Sequence, residues 1–332
     1  MKNCPACNRT FSDDTLSFCL EDGVPLVANY YNSQVFDSQA ETLLTQQPPA
    51  FQIPPEKSVQ AFQESPTVQT PVQGKEVVNG SPKQNNWISQ RLMTKLYLPP
   101  ARQTLVERPQ LIEQLNEGLK GRLTIISAPA GFGKTSLVTA WREQNEMPLA
   151  WYSLDEEDND PTCFADYLIG ALQTIDEKLG QESAGLLQMS PAPPLKIVLT
   201  SLINEISENE TEFVLAFDDY HVISEQSIHE ALSFFIERLP PHVHALITTR
   251  SDPPFPLSRL RARNELKELR STDLRFGEAE ASTFLNGVMK LELTNNDIHA
   301  LEARTEGWIT GLQLSALSLQ GKENKSGFVK EF

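Results

Sequence analysis

Gly131-Phe132-Gly133-Lys134-Thr135 is a run whose residue types and spacing suit one chemistry, the cradling of a polyphosphate. The two glycines let backbone N–H groups turn inward with no Cβ in the way, and a helix starting directly after them presents its positive dipole end to an anion. Ala130, Gly131, Phe132, Gly133, Lys134, Thr135 and Ser136 are therefore the candidate nucleotide-binding residues. Lys134 can reach the β- and γ-phosphates as a point charge, and the Thr135 hydroxyl can ligate Mg²⁺. The usual pattern opens with Gly six positions before the Lys, and here Ala128 holds that place. A plain Gly-rich strand-to-helix turn would share the local pattern, so the flanks decide. Thr124-Ile125-Ile126 reads as a buried strand, and Leu137, Val138 and Trp141 keep helical spacing beyond the loop.

A second cluster completes such a site. Phe213-Val214-Leu215-Ala216-Phe217 is an apolar strand ending in Asp218-Asp219. A strand end of this kind sets one carboxylate beside Mg²⁺ and its neighbour near an attacking water, so Asp218 is assigned to the metal and Asp219 to water polarisation. Another strand ends Thr248-Thr249-Arg250, where Arg250 could sense a γ-phosphate or stabilise transferred charge. The plainer alternatives are a solvated Asp-Asp turn and a surface arginine. The acids Asp155-Glu156-Glu157-Asp158 read as a solvated face, and His221 as a satisfied hydrogen-bonding residue rather than a catalyst.

At the amino terminus Cys4-Pro5-Ala6-Cys7 and Cys19-Leu20-Glu21-Asp22 form two short turns able to aim side chains at one point, resembling a small zinc ribbon. Cys4, Cys7, Cys19 and Asp22 are the candidate Zn²⁺ ligands, with Asp13, Asp14 or water as substitutes for the fourth. A redox Cys-x-x-Cys pair and unligated core cysteines are the other readings. Cys163, on an expected helix, reads as packing.

The elements that must position these groups follow from periodicity. Residues 1–27 form the Cys-bearing unit, and 28–86, rich in Gln, Pro, Ser, Thr and Val without a sustained period, read as a disordered linker. Order should resume near Trp87, with an extended 96–100 segment and a helix over 108–119. Beyond the loop, strands at 149–154, 213–217 and 245–249 alternate with helices at 162–179, 195–206 and 227–239. That alternation predicts an α/β fold, a parallel sheet with flanking helices over 87–270. Helical spacing at 278–284, 297–304 and 309–319 then predicts a small helical domain over 271–332, with 321–325 as a loop and the chain cut inside a larger architecture. The 332 residues are 39% hydrophobic and 22% charged, ample for a real core. A formal net charge of −16 argues against a broad grip on nucleic acid. No apolar run is long enough to span a bilayer and the start has no signal-peptide core, so the cytoplasm is the expected compartment.

Residues from about 92 to 320 resemble the ATPase module of the large MalT-like, LuxR-type bacterial regulators, in the STAND class of P-loop NTPases. The resemblance rests on several windows in order: Thr94-Lys95-Leu96, Val106-Glu107-Arg108-Pro109, the phosphate loop with Ala128 as the family's own variant, Trp151-Tyr152-Ser153-Leu154-Asp155, Phe217-Asp218-Asp219-Tyr220-His221, Thr248-Thr249-Arg250, Asp273-Leu274-Arg275-Phe276, and Thr305-Glu306-Gly307-Trp308-Ile309-Thr310-Gly311-Leu312-Gln313. It implies an ATP/ADP- and Mg²⁺-binding domain under a helical domain that closes over it, acting as a regulatory switch with slow or no hydrolysis. Related switches touch the nucleotide with a Gly-x-Pro turn, and Gly311-Leu312-Gln313 lacks that Pro. Full-length members continue with a winged helix, a helical-repeat sensor and a DNA-binding helix-turn-helix, so this chain is expected to bind nucleotide, self-associate or meet regulator partners without touching DNA itself. The competing readings are a non-enzymatic nucleotide- and zinc-binding interaction module and a ring-forming remodelling motor.

Overall fold

The computed structural model describes residues 2–3, 10–11, 27–28, 91–100 and 105–331. Cys4, Cys7, Cys19 and Asp22, and nearly all of the 28–86 stretch, lie outside the described residues. Near the amino terminus, β1 (Lys2–Asn3) pairs antiparallel with β2 (Thr10–Phe11) and with β3 (Val27–Ala28).

The main sheet has five parallel strands, β4 (Leu123–Ser127), β5 (Leu149–Ser153), β6 (Phe213–Asp218), β7 (Val243–Thr249) and β8 (Leu266–Arg270), in the order β5-β6-β7-β4-β8. It is flanked by α1 (Pro109–Gly118), α2 (Lys134–Gln144), α3 (Pro161–Gln173), α4 (Gln181–Leu187), α5 (Leu195–Glu208), α6 (Gln226–Ile236) and α7 (Ser258–Ala262). This is the α/β P-loop architecture that the strand–helix alternation predicts.

Every residue of β4, β6 and β7 is buried, because helices cover both faces. Side chains alternate across a strand, so each strand is split between two cores. Leu123, Ile125, Tyr152, Phe213, Leu215, Phe217, Ala245 and Ile247 pack with α3, α5 and α6. Ile126, Trp151, Val214, Ala216 and Leu246 pack on the other side with α1 and α2. Each fully buried large apolar side chain contributes about 1.5–3 kcal/mol, so both layers are strongly held.

The carboxyl-terminal part is helical: α8 (Ser271–Leu274), α9 (Glu278–Ser282) running into a π-helical stretch (Thr283–Val288), α10 (Asn295–Thr305), α11 (Ile309–Leu319) and α12 (Lys325–Glu331). Phe276, Leu285, Leu301, Leu312, Ala316 and Val329 form its own core. Within the described residues no helix is long and apolar enough to cross a membrane.

Several expectations need correcting. The helix expected over 162–179 stops at Gln173, and the chain turns at Thr174 before the separate α4. Residue 325, placed in a loop, opens α12, whose first turn is capped by Asn324 Oδ1 accepting the Gly327 N–H at 2.9 Å. Leu96, placed in an extended segment, ends a 3₁₀ turn (Met93–Leu96). The acidic run 155–158 is not simply a solvated face. Asp158 is fully buried, 2.6 Å from the ammonium of Lys95, which also reaches Asp155 at 3.0 Å and lies 4.4 Å from the Tyr167 ring centre. A buried carboxylate needs such a partner, and Lys95 thereby straps the segment before α1 onto the end of β5.

Candidate functional site

The phosphate loop leaves β4 and enters α2 through two left-handed glycines, Gly131 and Gly133, each at φ +78°. Gly133 caps α2, and its carbonyl accepts the Leu137 N–H at 2.8 Å, so the helix start sits directly on the loop. Lys134 is buried with its ammonium turned onto the loop, donating to Ala128 O at 2.8 Å and Pro129 O at 3.1 Å. Burial lowers its pKa, so an anion placed here would favour the charged form.

Alternation along the sheet explains why Asp218 meets the loop. Asp218 shares its face with Val214 and Ala216, and Thr248 shares its face with His244 and Leu246, so both strand ends point to the side covered by α2. Thr135 Oγ1 stands 3.1 and 3.2 Å from the two Asp218 carboxylate oxygens. Thr248 Oγ1 donates to Asp218 Oδ1 at 2.5 Å and accepts the Asp219 N–H at 3.0 Å. Burial raises the Asp218 pKa, against the hydrogen bonds from Thr248 and Thr135.

Asp219 adopts a left-handed conformation, φ +56°, which turns the chain sharply and aims its side chain away from Asp218 and into the adjoining cavity. Arg250, exposed at the end of β7, lines the same cavity. His221, read as satisfied, is not: its Nδ1 is buried with no hydrogen-bond partner among the described residues.

The cavity holds about 710 Å³, within the usual range for small-molecule sites. The loop and the first turn of α2 form one wall, with Val106, Arg108 and Ile112 beside them. The helical segment supplies the other through Phe276, Phe284, Val288, Met289, Thr310 and Gln313. The π-helical stretch, with Met289 N–H bonded to Phe284 O at 2.9 Å, carries two of those side chains, Phe284 and Val288, and Met289 follows at its cap.

Three residues join the helical segment to the phosphate loop and the cap of α1, and none carries a role in the sequence reading. Trp308 Nε1 donates to Ala130 O at 2.9 Å, and Thr310 donates to Gly131 O through Oγ1 at 3.0 Å and through its N–H at 3.3 Å. Arg108, at the cap of α1, donates to Leu274 O at 2.7 Å, Arg275 O at 2.8 Å and Glu280 Oε1 at 2.8 Å, with its guanidinium 5.0 Å from the Phe276 ring centre. It thus fastens the joint between sheet and helical bundle. Their only sequence signal was membership of the windows around 106–109 and 305–313.

The chain is 37% identical over 225 residues to the HTH-type transcriptional regulator MalT of Yersinia enterocolitica, covering 68% of this chain and 25% of that protein. It is 35% identical over 221 residues to the serine/threonine-protein kinase PknK of Mycobacterium tuberculosis, covering 66% and 20%. These residues form a MalT-like module with the P-loop NTPase fold. The chain carrying this module spans a quarter or less of the length of these relatives. Among solved structures it overlays on a STAND protein with a tetratricopeptide repeat sensor from Pyrococcus horikoshii (TM-score 0.46, 16% identity, 70% of this chain and 33% of that one). It also overlays on a Walker-type ATPase of Pyrococcus abyssi (TM-score 0.42, 19% identity, 71% and 75%). No protein-family model matches the chain.

Proposed function

We propose that this module binds ATP with Mg²⁺ and works as a regulatory switch with slow hydrolysis. The observation that supports the reading is the convergence of loop, Asp219 and Arg250 on one cavity lined on its far side by the helical bundle, with Asp218 behind the cavity-lining Thr135. The residues fit such a ligand. Gly131 and Gly133 leave the loop N–H groups open to phosphate, and Thr135 with Asp218 offers hard oxygen donors. Mg²⁺ is commonly held by one or two protein oxygens plus phosphate, so no all-protein cage is needed, and none of three or more His, Cys, Asp or Glu occurs among the described residues.

In this reading Lys134 would exchange the Ala128 and Pro129 carbonyls for phosphate oxygens, Thr135 and Asp218 would hold the metal, Asp219 would polarise water, and Arg250 would meet the terminal phosphate. Bound Mg²⁺ neutralises charge on the β- and γ-phosphates. Phe276, Phe284 and Met289 offer an apolar wall for the base, so nucleotide occupancy and the seating of the helical bundle are linked. The division at residue 270 between nucleotide-binding and helical domains belongs to this reading. So do LuxR-type transcriptional control by a longer protein, self-association, a cytoplasmic setting, and Zn²⁺ at Cys4, Cys7, Cys19 and Asp22.

Calorimetry of Mg²⁺-ATP binding to the parent and to Lys134→Ala tests the proposal. Losing one charge-assisted contact should weaken binding by about tenfold to a hundredfold. Equal affinity in the two proteins would overturn it.

A further inference from the structure

The wall of the cavity divides by chemistry. Lys134, Asp219 and Arg250 lie close enough at the loop end to act on one another's charge, whereas Phe284, Val288 and Met289 make the helical side apolar. Of the bundle residues that line the cavity only two are polar, Thr310 and Gln313, and both stand on α11. Thr310 is committed, since its hydroxyl and its N–H both donate to Gly131 O, at 3.0 and 3.3 Å. Gln313 follows three positions later, so it shares that helix face and lies about 4.5 Å farther along the axis.

Gln313 is half-buried, and no hydrogen bond engages its carboxamide among the described residues. The polar side chains across the cavity are tied or exposed. Arg108 is bonded to Leu274 O and Glu280 Oε1, and Glu143 and Gln144 stand exposed on the last turn of α2. A carboxamide carries an acceptor and a donor in one plane. Set beside apolar surface, it selects a flat ligand whose edge offers a donor next to an acceptor. Adenine has such an edge in its 6-amino group and the adjoining ring nitrogen, which is how Gln and Asn read that base in nucleic acids.

We propose that Gln313 selects the 6-aminopurine of the bound nucleotide: Oε1 accepts from the amino group and Nε2–H donates to the ring nitrogen beside it. The assignment rests on the nucleotide reading above, and adds to its apolar wall the polar contact that sets base identity. Because Thr310 pins the same helix face to Gly131, the edge of the base is read at a fixed reach from the phosphates.

The test is calorimetry of the full chain with Mg²⁺, titrated with ATP, with purine riboside triphosphate, which lacks the amino group, and with 7-deaza-ATP and 1-deaza-ATP, which each lack one ring nitrogen. The parent should bind purine riboside triphosphate and one of the two deaza analogues about fivefold to tenfold more weakly than ATP. In Gln313→Leu all of these ligands should agree within about twofold. Gln313→Glu keeps an acceptor and loses the donor, so its preference for the amino group should remain while the deaza difference vanishes. A parent that binds the analogues as tightly as ATP, or preferences that persist in Gln313→Leu, would overturn the role of Gln313 and leave the nucleotide site standing. The parent titrations need no folded variant. A parent that does not bind ATP at all overturns both.

Discussion

Thr310→Val and Trp308→Phe remove two side-chain hydrogen bonds by which the helical bundle grips the phosphate loop, while keeping much of each side chain's bulk. The bonds lost are Thr310 Oγ1 to Gly131 O at 3.0 Å and Trp308 Nε1 to Ala130 O at 2.9 Å, and the Thr310 N–H at 3.3 Å remains. A neutral hydrogen bond is worth about 0.5–1.5 kcal/mol net. Ala130 and Gly131 are only half-buried, so water can replace the lost donors and the pair should sum to about 1–2 kcal/mol. The bundle has its own core and should stay folded while its seating on the loop loosens by a factor of about 5–30. Native-state hydrogen exchange reads this directly. Amides at the start of α11 and in the phosphate loop should exchange faster by that factor, with the β6 and β7 amides unchanged. Faster exchange spread evenly over the chain, or none at α11, would refute the idea that these contacts are a latch. Gly131→Ala should be more damaging than the pair, since its Cβ would lie 2.3 Å from Thr310 Oγ1 on a backbone at φ +78°.

Other outcomes follow from buried charge and metal ligation. His244 has Nδ1 2.9 Å from Gly121 O and Nε2 2.9 Å from Thr124 Oγ1, and burial pushes its pKa down to about 4. The unfolded chain takes this proton near 6.5, so the stability it supports is complete above that pH and is lost as pH falls toward 4, about 3 kcal/mol in all. Urea midpoints should fall across that window in the parent and much less in His244→Gln. Asp218 has its pKa raised by burial, so its ionised form costs stability at neutral pH and the cost disappears as pH falls through the folded value. Asp218→Asn should therefore stabilise the nucleotide-free protein by about 1 kcal/mol in thermal scans while erasing the Mg²⁺ dependence of ATP affinity in calorimetry. Metal analysis should find about one zinc per chain, lost in Cys4→Ser/Cys7→Ser with ATP affinity unchanged.

The sheet and the loop were legible because buried parallel strands write themselves as apolar runs, as in 213–217, and because glycines at 131 and 133 mark the turn. β8 escaped notice for the opposite reason. Leu266-Lys267-Glu268-Leu269-Arg270 is an edge strand paired with β4 alone, and its charges are carried by local partners, Glu268 by Arg261 and Arg270. The pairing of Asp218 with Thr135 follows from a period of two once the strand is placed. No local pattern, however, announces that Lys95 is buried against Asp158 or that His221 Nδ1 lacks a partner, since both depend on residues brought together by distant chain segments.

The most direct test of the nucleotide site is a crystal structure of the chain with Mg²⁺ and a non-hydrolysable ATP analogue. The expected result has the phosphates on the N–H groups of residues 131–135, the metal between Thr135 and Asp218, Lys134 turned from Ala128 O toward the phosphates, and the base against Phe276 and Phe284. Analogue density elsewhere on the molecule, with Lys134 still bonded to the Ala128 carbonyl, would contradict it.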